Sequence, residues 1–160
     1  VTLSVRHPEL FGALVDLDGA LGPNAGDKEQ TIARLFGGDA GAWAAFDPKT
    51  VVQAHGRYQG LSAWLGVSAQ TPTVHHAAST RPPDNAAVVE WDTSSEDYAR
   101  TAGQLCRLLS AHGIECSVTS YAGGHSFPSA ARGMADALPW IAGKIGTPGV
   151  PRIPLPGAPG

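Results

Sequence analysis

The amino-acid sequence predicts an α/β fold in which three parallel strands carry helices on their faces. Three apolar stretches, at residues 10–17, 61–68 and 114–121, have the length of buried strands. Helical segments separate them, and this alternation is typical of a parallel sheet with right-handed crossovers. Three parallel strands alone would leave one edge of the sheet bare, so we expect further strands N-terminal to this chain to complete it.

The first strand candidate is surrounded by short helical segments. Residues 1–7 are expected to be the end of a helix that Pro8 breaks, and the strand at 10–17 follows. Asp39 can cap a short helix, and Asp47 followed by proline is a common helix start. The short helices expected after the first strand are at 30–36, 40–45 and 48–52.

The second strand candidate, at 61–68, precedes a long polar loop over residues 69–87. Loops of this length in a compact domain are often functional. Ser94 or Ser95 caps the next helix, which is expected to reach His112, and its apolar residues recur every three or four positions.

The third strand candidate, at 114–121, leads through a glycine-rich loop into the last helix. We expect Ser129 to cap this helix, which runs over residues 130–145 and is broken only by Pro139. The tail at 146–160 is rich in proline and glycine, so we expect it to be disordered or extended. The chain thus divides into one domain segment at residues 1–145 and this tail.

Charge and hydropathy exclude some classes of function. The 160 residues carry a formal net charge of −3, with acidic and basic residues mixed throughout. Nucleic-acid binding requires clustered Lys and Arg, which the chain lacks. No apolar run reaches the roughly 18 residues that span a bilayer. The chain begins at Val1 without an initiator methionine or a visible signal peptide, so we expect an upstream segment to be missing.

The two cysteines, Cys106 and Cys116, are too few for a disulfide scaffold. Cys106 falls on a predicted helix and Cys116 on the following strand. A helix packs about 10 Å from a sheet, whereas a disulfide requires Cα atoms within about 7 Å of each other. This geometry favours two separate small buried residues over a bridged pair.

His125 is the sharpest candidate for chemistry, because it lies in Gly123-Gly124-His125-Ser126-Phe127 between a strand and a helix. The glycines allow a tight turn, and the carboxyl edge of a parallel sheet is where such folds bind ligands. A histidine there can act as a general base. The alternative is a loop histidine that only closes a turn.

Three stretches resemble the family of α/β-hydrolase esterases that includes esterase D-type thioesterases and the secreted mycobacterial mycolyltransferases. Residues 6–24 resemble the segment after the nucleophile helix, 35–48 the helical insertion, and 122–142 the histidine loop with the closing helix. The resemblance covers about residues 1–145 and is stronger to actinobacterial members than to esterase D. It implies a partial α/β-hydrolase fold from which the N-terminal strands are absent.

The resemblance assigns the role of catalytic histidine to His125. The family's nucleophile lies in a Gly-x-Ser-x-Gly turn, which this chain does not contain, so the serine would lie just upstream of Val1. The family's acid usually follows the second strand, but the sequence there reads Gln70-Thr71-Pro72. Asp92, and less strongly Asp84, is the replacement candidate, although a solvent-facing or capping role is the commoner one for such an aspartate.

The candidates for substrate binding lie near the expected ligand edge or on the helical insertion. They are Asp18, Trp43, Phe46, Ser126 and Phe127. Turn chemistry at the strand end is the alternative for Asp18, and packing in the core is the alternative for the tryptophan. We expect no cofactor and no metal, because the neighbouring histidines His75 and His76 lack the further ligands of a zinc site.

Three hypotheses about function follow from the sequence. The first is a serine esterase or acyltransferase acting on a small-molecule or lipid ester once joined to its N-terminal half. The second is a catalytically inactive hydrolase-fold domain that binds or scaffolds in the cell envelope. The third is a fragment without a function of its own. The resemblance to actinobacterial members implies an extracytoplasmic location, secreted or anchored, while a cytoplasmic one stays open.

Overall fold

The computed structural model describes residues 1–19, 27–69, 95–124 and 126–156. The described strands form one parallel sheet in the order β1-β2-β3, which confirms the predicted open α/β sheet. Their bounds are Ala13–Leu17 for β1, Ser62–Ala69 for β2 and Glu115–Ala122 for β3. No other described strand pairs with the outer edge of β1.

Six helices lie in the described part of the chain. They are α1 (Thr2–Arg6), α2 (Lys28–Leu35), α3 (Ala40–Ala44), α4 (Pro48–His55), α5 (Ser95–Ala111) and α6 (Phe127–Lys144). An aspartate is the N-cap of α2, α3 and α4. The carboxylates of Asp27, Asp39 and Asp47 accept hydrogen bonds from N–H groups in the first turn of these helices. The predicted caps at Asp39 and Asp47 are therefore confirmed.

Helix α6 departs from the sequence-based prediction at its start and in its middle. It begins three residues earlier than expected, so Ser126 rather than Ser129 is its N-cap. Pro128 is tolerated because the N–H groups of a first helical turn have no partner inside the helix. Pro139 does not break the helix, and the buried residues Ala137 and Trp140 hold the chain on the sheet on both sides of it.

Helices cover both faces of the sheet. Alternate residues of β2 face opposite sides, so Ala63 and Leu65 belong to one core cluster while Trp64 belongs to the other. The first cluster also contains residues of α1, α4 and α5, represented by Val5, Val52 and Leu105. The second joins Trp64 to Ala137 and Trp140 of α6, and the two indole rings meet edge to face with centroids 6.2 Å apart.

The tail packs against the molecule as far as Pro156. It contains turns but no helix or strand, and Leu155 is only 3% exposed within the cluster around Trp140. A Cβ atom at Gly143 would collide with the Pro151 carbonyl, which shows how closely the tail crosses α6. The expectation of disorder is therefore wrong for this part of the tail.

The two cysteines form a disulfide between α5 and β3. The Cα atoms of Cys106 and Cys116 lie 5.5 Å apart, so the expectation of two separate thiols is wrong. The expected spacing of about 10 Å joins a sheet to a helix axis, whereas Cα atoms lie about 2.3 Å from that axis. A helix residue that faces the sheet close to a tight α-to-β turn comes nearer still.

Candidate functional site

The loop that carries the candidate histidine connects β3 to α6 at the carboxyl edge of the sheet. Gly123 and Gly124 have φ values of 123° and 69°, a region that favours glycine. A Cβ atom at Gly123 would lie 2.9 Å from Ser129 Oγ, so the turn has no room for a side chain there. His125 itself lies outside the described residues, and so does Asp92.

An open cleft of about 220 Å³ lies at this edge of the sheet. It is lined by Leu17, Asp18, Ser126, Phe127 and Ala130. The structure thus brings three of the five predicted substrate-binding residues together, although Asp18 is far in sequence from the other two. They meet because the end of β1 and the start of α6 lie at the same edge of the sheet.

Asp18 is held at this edge by β2. Its N–H donates to the Gly66 carbonyl at 2.8 Å, and its carboxylate accepts hydrogen bonds from both the backbone N–H and the hydroxyl of Ser68. Ser68 is 3% exposed, so this end of the carboxylate faces the protein interior. Asp18 has φ of 54°, and it is the one non-glycine residue with positive φ in the described ranges.

Ser126 and Phe127 line the cleft in different ways. The Ser126 hydroxyl donates to the Gly123 carbonyl at 3.3 Å and accepts from the Ser129 N–H at 3.4 Å, so it closes the turn and caps α6. Phe127 is 93% exposed and presents an aromatic surface at the cleft. Together with Leu17 and Ala130 it gives the cleft a largely apolar wall.

Trp43 and Phe46 lie elsewhere, so these two predicted substrate-binding residues do not line this cleft. Trp43 is buried at 7% exposure, and the Lys28 ammonium lies 3.9 Å from the centroid of its ring. Phe46 is 45% exposed and contacts the Phe36 ring with centroids 5.9 Å apart. Trp43 is thus packed inside the protein, which was the alternative considered for it.

Sequence analysis did not identify Ser68 and Arg132 as part of this region. Arg132 donates to the Ala122 carbonyl and to Ser129 Oγ, which ties the end of β3 to the first turn of α6. Ser68 meets Asp18 because the register pairs Leu17 with Gly66. The only available signal was that a polar residue lies next to the carboxyl end of each of the two strands, Asp18 after β1 and Ser68 before the last residue of β2. Parallel strands bring these ends to one edge of the sheet.

Tyr121 lies near the end of β3, and its hydroxyl donates to Asp136 at 3.2 Å. Burial and the neighbouring carboxylate raise the pKa of Tyr121 to about 12. The phenol therefore stays protonated at neutral pH and serves as a hydrogen-bond donor. Its ring lies beside Gly66 of β2 and Gly133 of α6, where larger residues would meet it.

The described ranges contain neither a metal-ligating cluster nor a helix suited to span a membrane. Within them, no group of three or more His, Cys, Asp or Glu side chains is arranged to hold a metal ion. The histidine pair at 75 and 76 lies outside these ranges. Among the same residues, no helix combines the length and the apolar character needed to cross a membrane.

Comparisons with known proteins give one distant relative. No family model matches the chain, and no solved structure matches it significantly. The chain is 27% identical over 144 residues to an uncharacterized protein of Corynebacterium glutamicum. The match covers 90% of this chain but only 29% of the length of that protein. Because the relative carries no assigned activity, a functional argument has to start from the geometry of the cleft.

Proposed function

We propose that this chain is the C-terminal part of a serine-hydrolase-type α/β domain that hydrolyses or transfers acyl esters. His125 is the general base in this proposal, and a serine upstream of Val1 is the nucleophile. The carrying observation is that the Gly123-Gly124 turn leads from a parallel strand into α6 beside an open cleft. Open α/β sheets bind their ligands at this carboxyl edge.

The proposed reaction has two steps. The serine hydroxyl attacks the ester carbonyl while His125 takes its proton, and backbone N–H groups stabilise the oxyanion. Collapse of the tetrahedral intermediate breaks the ester bond, and the imidazolium returns the proton to the leaving alcohol. Water or a second hydroxyl then attacks the acyl-serine with the same proton transfers, which gives hydrolysis or acyl transfer respectively.

The lining of the cleft suits an ester with an apolar acyl group. Leu17, Ala130 and the exposed ring of Phe127 offer apolar surface, and apolar walls with few polar groups are typical of sites for small ligands. A small-molecule or lipid ester is therefore the proposed substrate class.

The Cys106–Cys116 disulfide supports an extracytoplasmic location for the domain. Structural disulfides persist in oxidising compartments and are rare in the cytosol. Alkylation of free thiols in protein taken from its natural host, with and without prior reduction, tests this. We expect alkylation only after reduction, whereas free thiols in the untreated protein would contradict the proposed location.

A fluorophosphonate probe, which labels activated serines, tests the enzymatic proposal on the longest natural polypeptide that contains this chain. We expect labelling of the wild type and its loss in His125→Ala. The matched control is His7→Ala, because the His7 side chain is 47% exposed and its Nδ1 lies 3.5 Å from the carboxylate of Glu9, itself 64% exposed. Equal labelling of His125→Ala and wild type would refute the role of His125.

The absence of a carboxylate at residues 70–72 favours a second candidate function, a hydrolase-fold domain that binds or scaffolds without catalysis. A triad without its acid loses most of its activity. If the folded full-length protein is not labelled and its upstream strand-to-helix turn carries no serine, this second function replaces the first.

A further inference from the structure

We infer that an apolar stripe along α6 packs against a helix of the polypeptide upstream of Val1, which also supplies a strand beside β1. The inference rests on the proposed function, because that function assigns an upstream part to the same domain. The stripe, which we call the α6 stripe, consists of four large apolar residues that are 42% to 93% exposed. They are Phe127, Met134, Leu138 and Ile145, of which the last is the C-cap of α6.

The α6 stripe follows one side of the helix from end to end. Its members are seven, four and seven positions apart, which is close to two, one and two turns of about 3.6 residues. At a rise of about 1.5 Å per residue the stripe is about 27 Å long. A solvent-facing side of a helix normally carries polar residues, and contiguous exposed apolar surface marks an interaction site. The charged residues of α6 lie outside the stripe; they are Arg132, Asp136 and Lys144.

Contacts on one side of α6 fix its orientation on the sheet. Gly133 faces the centre of the sheet, because a Cβ atom there would meet Leu17 of β1 and Tyr121 of β3. Asp136 accepts a hydrogen bond from the Tyr121 hydroxyl, and Arg132 donates to the carbonyl of the last residue of β3. The side of α6 that carries Arg132 and Asp136 therefore faces β3.

The α6 stripe lies on the opposite side of the helix, toward β1. Successive helical residues are turned by about 100°, so Met134 and Arg132 leave the helix on opposite sides of Gly133. Phe127, at the start of the stripe, lines the cleft together with Leu17 of β1. The stripe thus faces the outer edge of β1, with which no other described strand pairs. An apolar helix face and an open strand edge form one continuous surface.

Packing distances indicate which elements fit this surface. Neighbouring helices pack about 8–10 Å apart, whereas neighbouring strands are about 4.7–4.9 Å apart. A helix beside α6 therefore lies about two strand positions away from it. Because α6 covers β1 and β2, through Gly133 near Leu17 and through Trp140 against Trp64, the added helix lies beyond β1. It needs a strand beneath it, and the open edge of β1 offers the backbone groups to pair with one.

The connections between the strands favour the upstream polypeptide as the source of these elements. The chain passes from β1 to β2 by way of α4 and from β2 to β3 by way of α5. Residues of both helices, such as Val52 and Leu105, belong to the first core cluster, and so does Val5 of α1. A strand that precedes α1 would therefore reach the outer edge of β1 with the same right-handed crossover as the later strands.

Thiol labelling of Leu138→Cys tests whether the stripe is covered. The variant is made in the longest natural polypeptide that contains this chain, where the native Cys106 and Cys116 are bridged, and maleimide labelling is followed on the peptide that contains residue 138. The control is Ser110→Cys, because Ser110 is exposed on α5, on the other face of the sheet. We expect residue 138 to label about 10²-fold more slowly than residue 110. Equal rates in the folded variants would overturn the inference, and Met134→Cys replaces Leu138→Cys if that variant does not fold.

Photo-crosslinking identifies what covers the stripe. With p-benzoylphenylalanine in place of Leu138 in the same polypeptide, we expect a crosslink within one chain to a peptide upstream of Val1, identified by mass spectrometry. A crosslinked product of twice the mass would show that a second copy covers the stripe. A crosslink to a peptide from residues 1–160 would show that this chain covers it by itself. Either result would overturn the inference.

The outcomes separate this inference from the catalytic part of the proposed function. If residue 138 labels as fast as residue 110 while fluorophosphonate labelling depends on His125, the proposed function stands and the covering helix does not exist. If residue 138 is protected and crosslinks to the upstream polypeptide while the fluorophosphonate probe does not react, the packing is correct and the catalytic role fails.

Discussion

Cys106 of α5 and Cys116 of β3 are joined by a disulfide that closes a loop across a sequence separation of 10 residues. In the chain-entropy model, a loop of this size stabilises the folded state by about 3 kcal/mol. We expect a reducing agent to lower the free energy of unfolding by about that amount, measured by urea denaturation with and without reductant. The double variant Cys106→Ala/Cys116→Ala should be insensitive to reductant, and an equally insensitive wild type would contradict the disulfide.

Gly143→Ala should detach the tail from α6, because a Cβ atom there meets the backbone of Pro151 and Arg152. We expect a loss of about 1–3 kcal/mol, typical of overpacking, together with a red shift of tryptophan fluorescence as Trp140 gains water. Gly103→Ala in α5 is the control. Its Cβ would meet only the Arg107 guanidinium at an ordinary 3.7 Å, so it should be neutral or stabilising by up to about 1 kcal/mol. A harmless Gly143→Ala would show that the tail does not cross α6.

Asp47→Ala should destabilise the start of α4. Asp47 is 4% exposed, and its carboxylate accepts from the Thr50 N–H at 3.1 Å and from the Thr50 hydroxyl at 2.7 Å. Loss of an N-cap typically costs about 1 kcal/mol, and the lost hydrogen bond from the Thr50 hydroxyl adds to that cost. Thermal unfolding should show a larger loss than Asp27→Ala, whose cap is exposed; equal losses would argue against burial as the cause.

Tyr121 should make stability depend on pH in the alkaline range. Its folded-state pKa is raised to about 12 by burial and by Asp136, whereas an unfolded tyrosine ionises at about 10. The folded state therefore retains a proton that the unfolded state releases, so this stabilisation is present below pH 10 and is lost as the pH rises through 12. Tyr121→Phe should show a shallower fall in unfolding free energy across this window. An ultraviolet titration in which Tyr121 ionises near 10 would contradict the expectation.

The first residues of β2 and β3 were predicted to within one position, because a glycine precedes each buried strand. Gly60 and Gly113 have positive φ and mark the approach to β2 and β3, and the predicted starts at 61 and 114 are each one residue early. The start of β1 was predicted three residues early because Leu10 and Phe11 are apolar. Both are nevertheless exposed, at 72% and 37%. Apolar character alone therefore did not distinguish the residues of β1 from the exposed segment that precedes it.

The candidate site was only partly predictable, because it depends on contacts between distant residues. The glycine pattern around residue 125 indicated the loop, and Asp18 was recognisable as a strand-end carboxylate. The bond from Asp18 to Ser68 depends on the register of β1 on β2, which a single sequence does not reveal. Similarly, an aromatic residue on a short helix can face a groove or the core. The sequence left both open for Trp43, and the packing of α3 shows that it is buried.

The packed tail extends the folded unit beyond α6, at least as far as residue 156. A recombinant fragment cut after residue 145 would lose Leu155 and open the cluster around Trp140 to water. Expression boundaries should therefore lie after residue 156, and affinity tags or fusion partners belong downstream of that position. If a fragment shortened in this way aggregates or unfolds easily, the cause would be the missing tail and not a property of the natural domain.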